Sequence, residues 1–264
     1  MLTAEQIQAY RERGFVLGGP VLNEEQVEVL RAELARVIRD WGDDSKPQPV
    51  LLRNLAGDPG APVWQIVNIW EASEPFRALL HHPFIVEAVS QLTEAWEIRV
   101  WHDQIQYKPA GEGGVNMWHQ DSPYWPILQP KDAQITAWIA LDDVDISNGC
   151  MSMVPGSHQW GVQIEFLHTL QRFEDMPSTF QGQPLEVVPC PVPKGWVHFH
   201  HPLTWHGSHA NRSDRPRRAI AIHYMTEKTW YDSRGNHVMK PFVEVAHGEK
   251  LQGEHFPLVR KRSA

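Results

Sequence analysis

The apolar and polar positions in the first third of the chain follow helical spacing. The segment "EEQVEVLRAELARVIRDW" places its apolar residues on one helical face, at intervals of three and four positions: Val27, Leu30, Leu34 and Val37. A further helix is predicted over roughly residues 74–95, with a break at Pro83 because proline interrupts the hydrogen bonding of a helix. The first 95 residues are therefore predicted to be mainly helical.

Capping signals mark where two of these helices begin. Thr3 with Gln6 forms a capping-box pattern before "AEQIQAYRER", and Asn23 with Gln26 repeats it before the second helix. Gly14 is a natural stop for the first helix. The short segment "GFVLGGPV" between the two helices is predicted to be β-like, and residues 41–62, rich in Gly, Asp and Pro, are predicted to be a loop.

From about residue 97 the pattern changes to alternation with a period of two, which is typical of strands. The candidate strands are "WEIRVWHDQIQYKP", "AQITAWIALDDV", "CMSMVPGSH", "GWVHFHHPL" and "RRAIAIHYMT". Many short strands after a helical start predict an α+β fold with a mainly β core, a barrel or sandwich supported by helices on one side. Residues 161–184 interrupt the strands and are predicted to be an insertion, where substrate loops often lie.

The composition shows no sharp break, so residues 1–264 are predicted to form one domain. Its parts are a helical region over about 1–95, a barrel over about 97–230 and a C-terminal extension ending in the short basic "RKRSA", expected to be a solvated tail. The net charge of −8 and the pI near 6.0 argue against a nucleic-acid surface. The sequence shows neither a signal peptide nor an apolar run of membrane length, and two cysteines suit a reducing compartment, so a cytoplasmic location is expected.

His119 and Asp121 are the first candidate metal ligands. Residues i and i+2 of a strand share a face, so these two side chains are expected to point into the barrel with Gln120 turned away. A single His-x-Asp is a weak signal, because one is expected by chance in a chain with 15 histidines. His206, in "WHGS", is the preferred third ligand, with His209 as the rival.

Two histidines and one carboxylate leave three positions of a metal open, which suits non-haem Fe(II), although Zn, Co or Ni would also accept these ligands. Arg217 stands 217 − 206 = 11 residues after His206, where it is expected to reach the same interior and pair with a carboxylate. Ser208 is placed to add a hydroxyl to that carboxylate. Arg218 is expected to face outward, because neighbours on a strand alternate.

Three segments together resemble the phytanoyl-CoA dioxygenase (PhyH-like) family: "HQD" at 119–121, "AWIALDDVDISNGCMSMVPGSH" at 137–158 and "HGSHANRSDRPRRAI" at 206–220. The resemblance implies a double-stranded β-helix (jelly-roll, cupin-like) and an Fe(II)- and 2-oxoglutarate-dependent dioxygenase that uses O2. On this sequence it implies that His119, Asp121 and His206 bind iron and that Arg217 and Ser208 bind the distal carboxylate of 2-oxoglutarate.

The resemblance also implies that Trp138 and Gln106 lie near the cosubstrate. Because the carboxylate ligand Asp121 is intact, it implies hydroxylation or a related oxidation rather than halogenation.

The residues around the predicted metal site are candidates for contact with a small-molecule substrate. The aromatic candidates are Tyr124, Trp125 and Trp101, and the polar ones are Gln104, Gln120 and His102. This mixture suggests a substrate with an apolar body and a polar group. Two alternatives stay open on the residues alone: a cupin-like metalloenzyme that does not use 2-oxoglutarate, and a non-catalytic ligand-binding barrel.

Overall fold

The computed structural model describes residues 1–262. Its helices are α1 Ala4–Arg13, α2 Glu24–Arg39, α3 Glu74–Leu80, α4 Pro83–Thr93 and α5 Ile164–Leu167. Its strands are β1 Phe15–Pro20, β2 Leu51–Asn54, β3 Trp64–Val67, β4 Glu97–Lys108, β5 Asn116–His119, β6 Leu128–Gln129, β7 Gln134–Ala140, β8 Met151–Met153, β9 Thr179–Phe180, β10 Gln183–Pro184, β11 Val188–Cys190, β12 Trp196–His200, β13 His206–Ser208, β14 Arg217–Thr226, β15 Trp230–Tyr231 and β16 Leu258–Lys261.

The helical predictions for the N-terminal region are confirmed. Both capping boxes form, and α1 ends at Gly14 in the left-handed conformation. The predicted apolar face of α2 is buried, and the third helical segment is divided into α3 and α4 at Pro83. Within the described residues, no helix is both long and apolar enough to cross a membrane.

Two antiparallel sheets form the core. The larger has the order β1-β12-β7-β14-β4-β3-β2, with β16 also paired to β4, and the smaller has the order β11-β8-β13-β5. Over residues 1–262 no ladder joins these two sheets, so they form an open double-stranded β-helix and not a closed barrel. The α+β class with a mainly β core is therefore confirmed, with the barrel opened into two facing sheets.

Strand alternation separates the two faces of the larger sheet. On β14, Ile220, Ile222 and Tyr224 pack with residues of α2, α3 and α4 in one apolar cluster. Ala221 and His223 belong to the opposite face and line the cavities between the sheets. The helices thus cover the outer face and leave the inner face for chemistry.

Two regions differ from the sequence predictions. Residues 41–62, predicted as a loop, contain β2, which pairs with β3 at one edge of the larger sheet. The 161–184 segment is an insertion between β8 and β11, as predicted, and contains α5 and the β9-β10 hairpin. In the basic end, Arg260 and Lys261 belong to β16 and Arg260 pairs with Glu87, so this segment is not a free tail; Ser263 and Ala264 lie outside the described residues.

Asp103 ties β4 to the turn that precedes α3. Its Oδ1 accepts a hydrogen bond from the backbone N–H of Ile69 at 2.9 Å, while its Oδ2 is buried without a partner. Burial raises the pKa of Asp103 to about 8, and the charge of Glu71 adds to this. The folded protein therefore holds a neutral carboxylic acid here at neutral pH.

We expect Asp103→Asn to gain stability relative to the wild type as pH rises. The unfolded carboxyl ionises near its ordinary pKa, so the wild type loses about 1.4 kcal/mol per pH unit between that value and the folded pKa of about 8. Between pH 5 and pH 8 the difference in unfolding free energy should shift by up to about 4 kcal/mol in favour of the variant. Urea unfolding at both pH values measures it.

The matched control is Asp44→Asn, at an exposed carboxylate in a loop. It should show no such trend. A difference between Asp103→Asn and the wild type that is the same at both pH values would contradict the prediction.

Candidate metal centre and cosubstrate pocket

His119, Asp121 and His206 converge between the two sheets. His119 ends β5 and His206 begins β13, and they are register partners with ring centroids 4.1 Å apart. Asp121 Oδ1 lies 3.9 Å from His119 Nε2 and 3.5 Å from His206 Nε2. One ligand atom from each residue lies within 4.8 Å of the others, an arrangement that can hold a metal ion.

Asp121 does not lie on the strand β5, contrary to the prediction that it alternates with His119 along one strand. The chain leaves β5 after His119, and Asp121 has helical dihedral angles (φ −70°, ψ −55°) ahead of the short 3-10 helix Ser122–Tyr124. Its carboxylate reaches the site because the chain turns there, and not because the side chains alternate. Gln120 does turn away, as predicted.

Backbone carbonyls fix the orientation of both imidazoles. His119 Nδ1 lies 2.7 Å from the carbonyl of Met117, and His206 Nδ1 lies 2.9 Å from the carbonyl of Thr204. A carbonyl only accepts, so each Nδ1 carries the proton and donates it. Each Nε2 is left with a free lone pair directed to the Asp121 side, which is the tautomer a metal requires.

The second oxygen of Asp121 is held by residues behind the site. Thr136 Oγ1 donates to Oδ2 at 2.8 Å, and His200 Nε2 donates to it at 3.1 Å. Because the Thr136 hydroxyl proton is used, His223 Nδ1 donates to Thr136 Oγ1 at 2.8 Å. Oδ2 is therefore occupied by hydrogen bonds within the protein, and Oδ1 is left for a metal ion.

The contributions of Thr136, His200 and His223 were not predicted from the sequence. They are register partners on the adjacent strands β12, β7 and β14. One signal was available, because His223 lies six residues after Arg217 on an alternating strand and therefore shares its face.

The charges of the triad favour a bound cation. Burial alone would raise the pKa of Asp121, but His206 and the hydrogen bond from His200 hold it well below its ordinary value. Burial opposes the protonation of His206, and Asp121 overcomes that and raises its pKa. Burial lowers the pKa of His119 to about 3, so this ring stays neutral and ready to ligate.

The rival ligand His209 lies apart from the triad. Its side chain is 41% exposed, its ring packs on Phe173 at 3.9 Å, and its Nδ1 is 3.6 Å from Glu174. His206 is therefore the third residue of the cluster.

Arg217 lies fully buried beside the triad. Its Nε donates to the carbonyl of Gly149 at 3.2 Å and its Nη2 to Ser208 Oγ at 3.1 Å, while Nη1 has no partner among the described residues. The indole of Trp138 lies 5.5 Å from the guanidinium carbon and also has a buried, unpartnered N–H. Two buried, orphaned donors at one place suit an anion, and Trp138 also lines the smaller cavity described below.

A second buried basic residue, Lys108, was not predicted from the sequence to belong to the site. It is the register partner of Arg217, and its Nζ donates to Ser208 Oγ at 2.7 Å and to the carbonyls of Ser208 and His209. Over residues 1–262, neither cation has a carboxylate within salt-bridge distance. Burial and the charge of Arg217 hold the pKa of Lys108 well below its ordinary value. The sequence did contain a sign of this, because Lys108 lies two and four positions after Gln106 and Gln104 and therefore shares their face of the strand.

Two cavities meet at the metal triad. The smaller one is lined by Gln106, Trp138, Ser208 and the triad, and the larger one has a volume of about 700 Å³. His119, Asp121, Gln104 and Gln106 line both. An ion at the triad would therefore face the smaller cavity, of about 20 Å³, on one side and the larger one on the other.

The predicted substrate contacts divide into two groups. Four line the larger cavity: Trp125, Tyr124, Gln104 and His102. Gln120 does not, because its amide is buried and bonds to the carbonyls of Gly161 and Leu203 and the backbone N–H of Gln163. Trp101 stacks on Phe256 in a separate core. Gln120 therefore anchors the start of the 161–184 insertion, and neither it nor Trp101 belongs to the cavity wall.

Comparisons with known proteins agree with this geometry. The sequence profile of the phytanoyl-CoA dioxygenase (PhyH) family matches residues 10–219. The chain belongs to this family. The fold and the activity class implied by the sequence are therefore confirmed: this PhyH-family chain is a non-haem iron- and 2-oxoglutarate-dependent oxygenase.

Curated relatives of this PhyH-family chain include two dioxygenases. Peroxisomal phytanoyl-CoA dioxygenase from Bos taurus is 26% identical over 99% of this chain and 77% of that protein. Ectoine dioxygenase from Bordetella parapertussis is 27% identical over 84% of this chain and 75% of that protein.

Among solved structures, the non-haem alpha-ketoglutarate-dependent carbocyclase SnoK from nogalamycin biosynthesis superposes with a TM-score of 0.78. It is 30% identical, and the match covers 98% of this chain and 96% of SnoK.

We expect Thr136→Val to weaken metal binding in this PhyH-family site. Valine keeps the shape but removes the hydroxyl that holds Asp121 Oδ2, and loss of such supporting hydrogen bonds typically costs about 10- to 100-fold in metal affinity. Anaerobic titration with Co(II), followed by visible absorption, measures the dissociation constant. Thr136→Ser keeps the hydroxyl and should bind like the wild type, whereas equal affinity for the valine variant would count against this role.

Proposed function

We propose that His119, Asp121 and His206 hold Fe(II), and that Arg217, Lys108 and Ser208 bind the distal carboxylate of 2-oxoglutarate, for O2-dependent hydroxylation of a C–H bond in a small-molecule substrate. The products are the hydroxylated substrate, succinate and CO2. The observation that carries the proposal is the pair of buried cations without a carboxylate partner beside a metal-binding triad.

The donor set fits the cosubstrate. Arg217 Nη1 and the Trp138 indole N–H are buried and unpartnered, and such groups are costly unless a ligand satisfies them. Ser208 Oγ already lies within hydrogen-bond distance of both cations. A carboxylate beside Arg217 would satisfy these two donors, and Gln106, Trp138 and Ser208 line the adjoining cavity.

When bound, the iron, 2-oxoglutarate and O2 supply the oxidising chemistry. The protein's own contribution is placement and protection. Thr136 and His200 hold Oδ2 of the Asp121 carboxylate, which leaves Oδ1 free to bind the ion. Trp125 and Trp118, both buried, line the neighbouring chamber and keep water from the reacting centre.

The larger cavity favours a small-molecule substrate. Its volume of about 700 Å³ lies within the range of about 300–1,000 Å³ typical of small-molecule sites. Its wall mixes aromatic side chains with amides and imidazoles, which suits an apolar body carrying polar groups. A screen of metabolites for substrate-triggered succinate release would identify the substrate.

Two buried cations also distinguish this proposal from the alternatives. A cupin-like enzyme without 2-oxoglutarate, or a non-catalytic barrel, gives no reason for two buried basic side chains, Arg217 and Lys108, to meet at Ser208 Oγ without a carboxylate. Arg217 Nη1 is buried without a partner, which destabilises a fold, so an anionic ligand is the simplest physical reason for it.

We expect Arg217→Met to weaken 2-oxoglutarate binding at least about thirtyfold, the effect of losing about 2 kcal/mol from a buried charge pair. Anaerobic addition of Fe(II) and 2-oxoglutarate should give a visible charge-transfer band in the wild type, and its dependence on 2-oxoglutarate gives the dissociation constant.

Arg218→Met is the matched control. Arg218 faces the other side of β14 and pairs with Asp142 at 2.7 Å, so its loss should leave this constant unchanged. Absence of the band in the wild type, or equal binding by Arg217→Met, would reject the proposed function.

We expect 2-oxoglutarate binding to take up a proton at Lys108. In the free protein the pKa of this amine is depressed, and an arriving carboxylate raises it. Affinity should therefore fall as pH rises between the free and bound pKa values. Isothermal titration in buffers of different ionisation enthalpy counts the proton. Lys108→Met should bind more weakly and without this uptake; an unchanged proton count in the variant would assign the uptake elsewhere.

A further inference from the structure

Three polar side chains form a hydrogen-bonded chain along one wall of the larger cavity. They lie on β2, β3 and β4, the strands at one edge of the larger sheet. Arg53 Nε donates to Gln65 Oε1 at 2.8 Å, and Gln65 Nε2 donates to Gln104 Oε1 at 2.7 Å. All three residues line the cavity.

The direction of this chain is fixed by chemistry. A guanidinium can only donate, so the atom of Gln65 that faces Arg53 must be its oxygen. Gln65 therefore presents its NH2 group to Gln104, which must answer with its own oxygen. The amide of Gln104 is left with Nε2 as the terminal group, and no residue in 1–262 accepts a hydrogen bond from it.

Gln104 stands where this terminal donor would meet a substrate. It lines both cavities, and so does the metal ligand Asp121. Gln65 is buried at 8% exposure, so the middle link is held away from competing water. Exposed apolar side chains, among them Leu55, Val115 and Val238, line the same cavity.

We propose that the Arg53-Gln65-Gln104 chain selects substrates that carry an oxygen acceptor, such as a carbonyl or ether oxygen, next to the metal centre. The inference rests on the proposed function and adds the polarity of the substrate group that this wall recognises. A ligand without an acceptor at this point leaves the N–H groups of Gln104 unsatisfied, and enclosed sites reject such ligands.

The test uses two probes that share one tricyclic skeleton, 9-fluorenone with a carbonyl and fluorene without it. Their binding to the anaerobic protein loaded with Fe(II) and 2-oxoglutarate is followed by quenching of tryptophan fluorescence, since Trp118 and Trp125 line the cavity. We expect the wild type to prefer fluorenone by about fivefold or more, the effect of one hydrogen bond. Gln183→Leu, on the exposed strand β10, is the control and should keep this preference.

Two substitutions at Gln104 should abolish the preference. Gln104→Leu removes the amide, and Gln104→Glu keeps the acceptor for Gln65 and nearly the same shape but removes the donors. Gln65→Leu leaves Gln104 free to turn its amide over, so the preference should be reduced.

Equal or absent binding of the two probes by the wild type, or a preference that survives in both Gln104 variants, would overturn the inference. So would a Gln104→Leu variant that loses 2-oxoglutarate affinity and keeps the probe preference, because Gln104 would then serve the cosubstrate. The probe preference is also measured without 2-oxoglutarate. A wild type that takes up no cosubstrate therefore rejects the proposed function separately from this inference.

Discussion

The register between β14 and its neighbours β4 and β7 is the constraint on which the site depends. Arg217 pairs with Lys108, and His223 pairs with both His102 and Thr136. Because side chains alternate, a slip of one residue in β14 would turn Arg217 into the apolar layer under the helices and bring Ile220 into the cavity. The apolar contacts of the helices with Ile220, Ile222 and Tyr224 therefore also hold the cations and imidazoles in place.

The interior contains two neighbouring regions that favour ligands of opposite charge. The triad supplies one carboxylate and two imidazoles, which favour a cation. The pocket next to it supplies Arg217 and Lys108, which favour an anion. An empty pocket leaves Arg217 Nη1 and the Trp138 N–H buried without partners, which is costly. A metal ion bound together with a carboxylate cosubstrate satisfies both at once, which explains why such different groups are packed side by side.

Local signals predicted much of this molecule. The capping residues Thr3 and Asn23, the face of α2 and the break at Pro83 were all readable, because each depends on neighbours within a few positions. The alternation of β4 and β14 predicted Arg217 as an inward cation. By the same alternation Lys108 and His223 also point inward. Only the pairing of the two strands shows that Arg217 and Lys108 are neighbours.

Other features depend on contacts that no local pattern encodes. β2 lies in a segment rich in Gly, Asp and Pro, and it forms a strand because its backbone pairs with β3 at the sheet edge. Gln120 looked like a cavity residue beside two ligands, but the turn at Asp121 sends its amide to the carbonyls of Gly161 and Leu203.

The edge strands also show how one family's iron chemistry can be directed to different substrates. The triad and the two buried basic residues lie on β4, β5, β13 and β14 or directly beside them, and β4, β13 and β14 each pair with a strand on both sides. Part of the chamber wall comes from β2, the edge strand of the larger sheet, and from β3 beside it. Substitutions in Arg53 or Gln65 would change the polarity of that wall without disturbing the register of β14. Selectivity can therefore vary at the edge of the sheet while the chemistry at its centre stays constant.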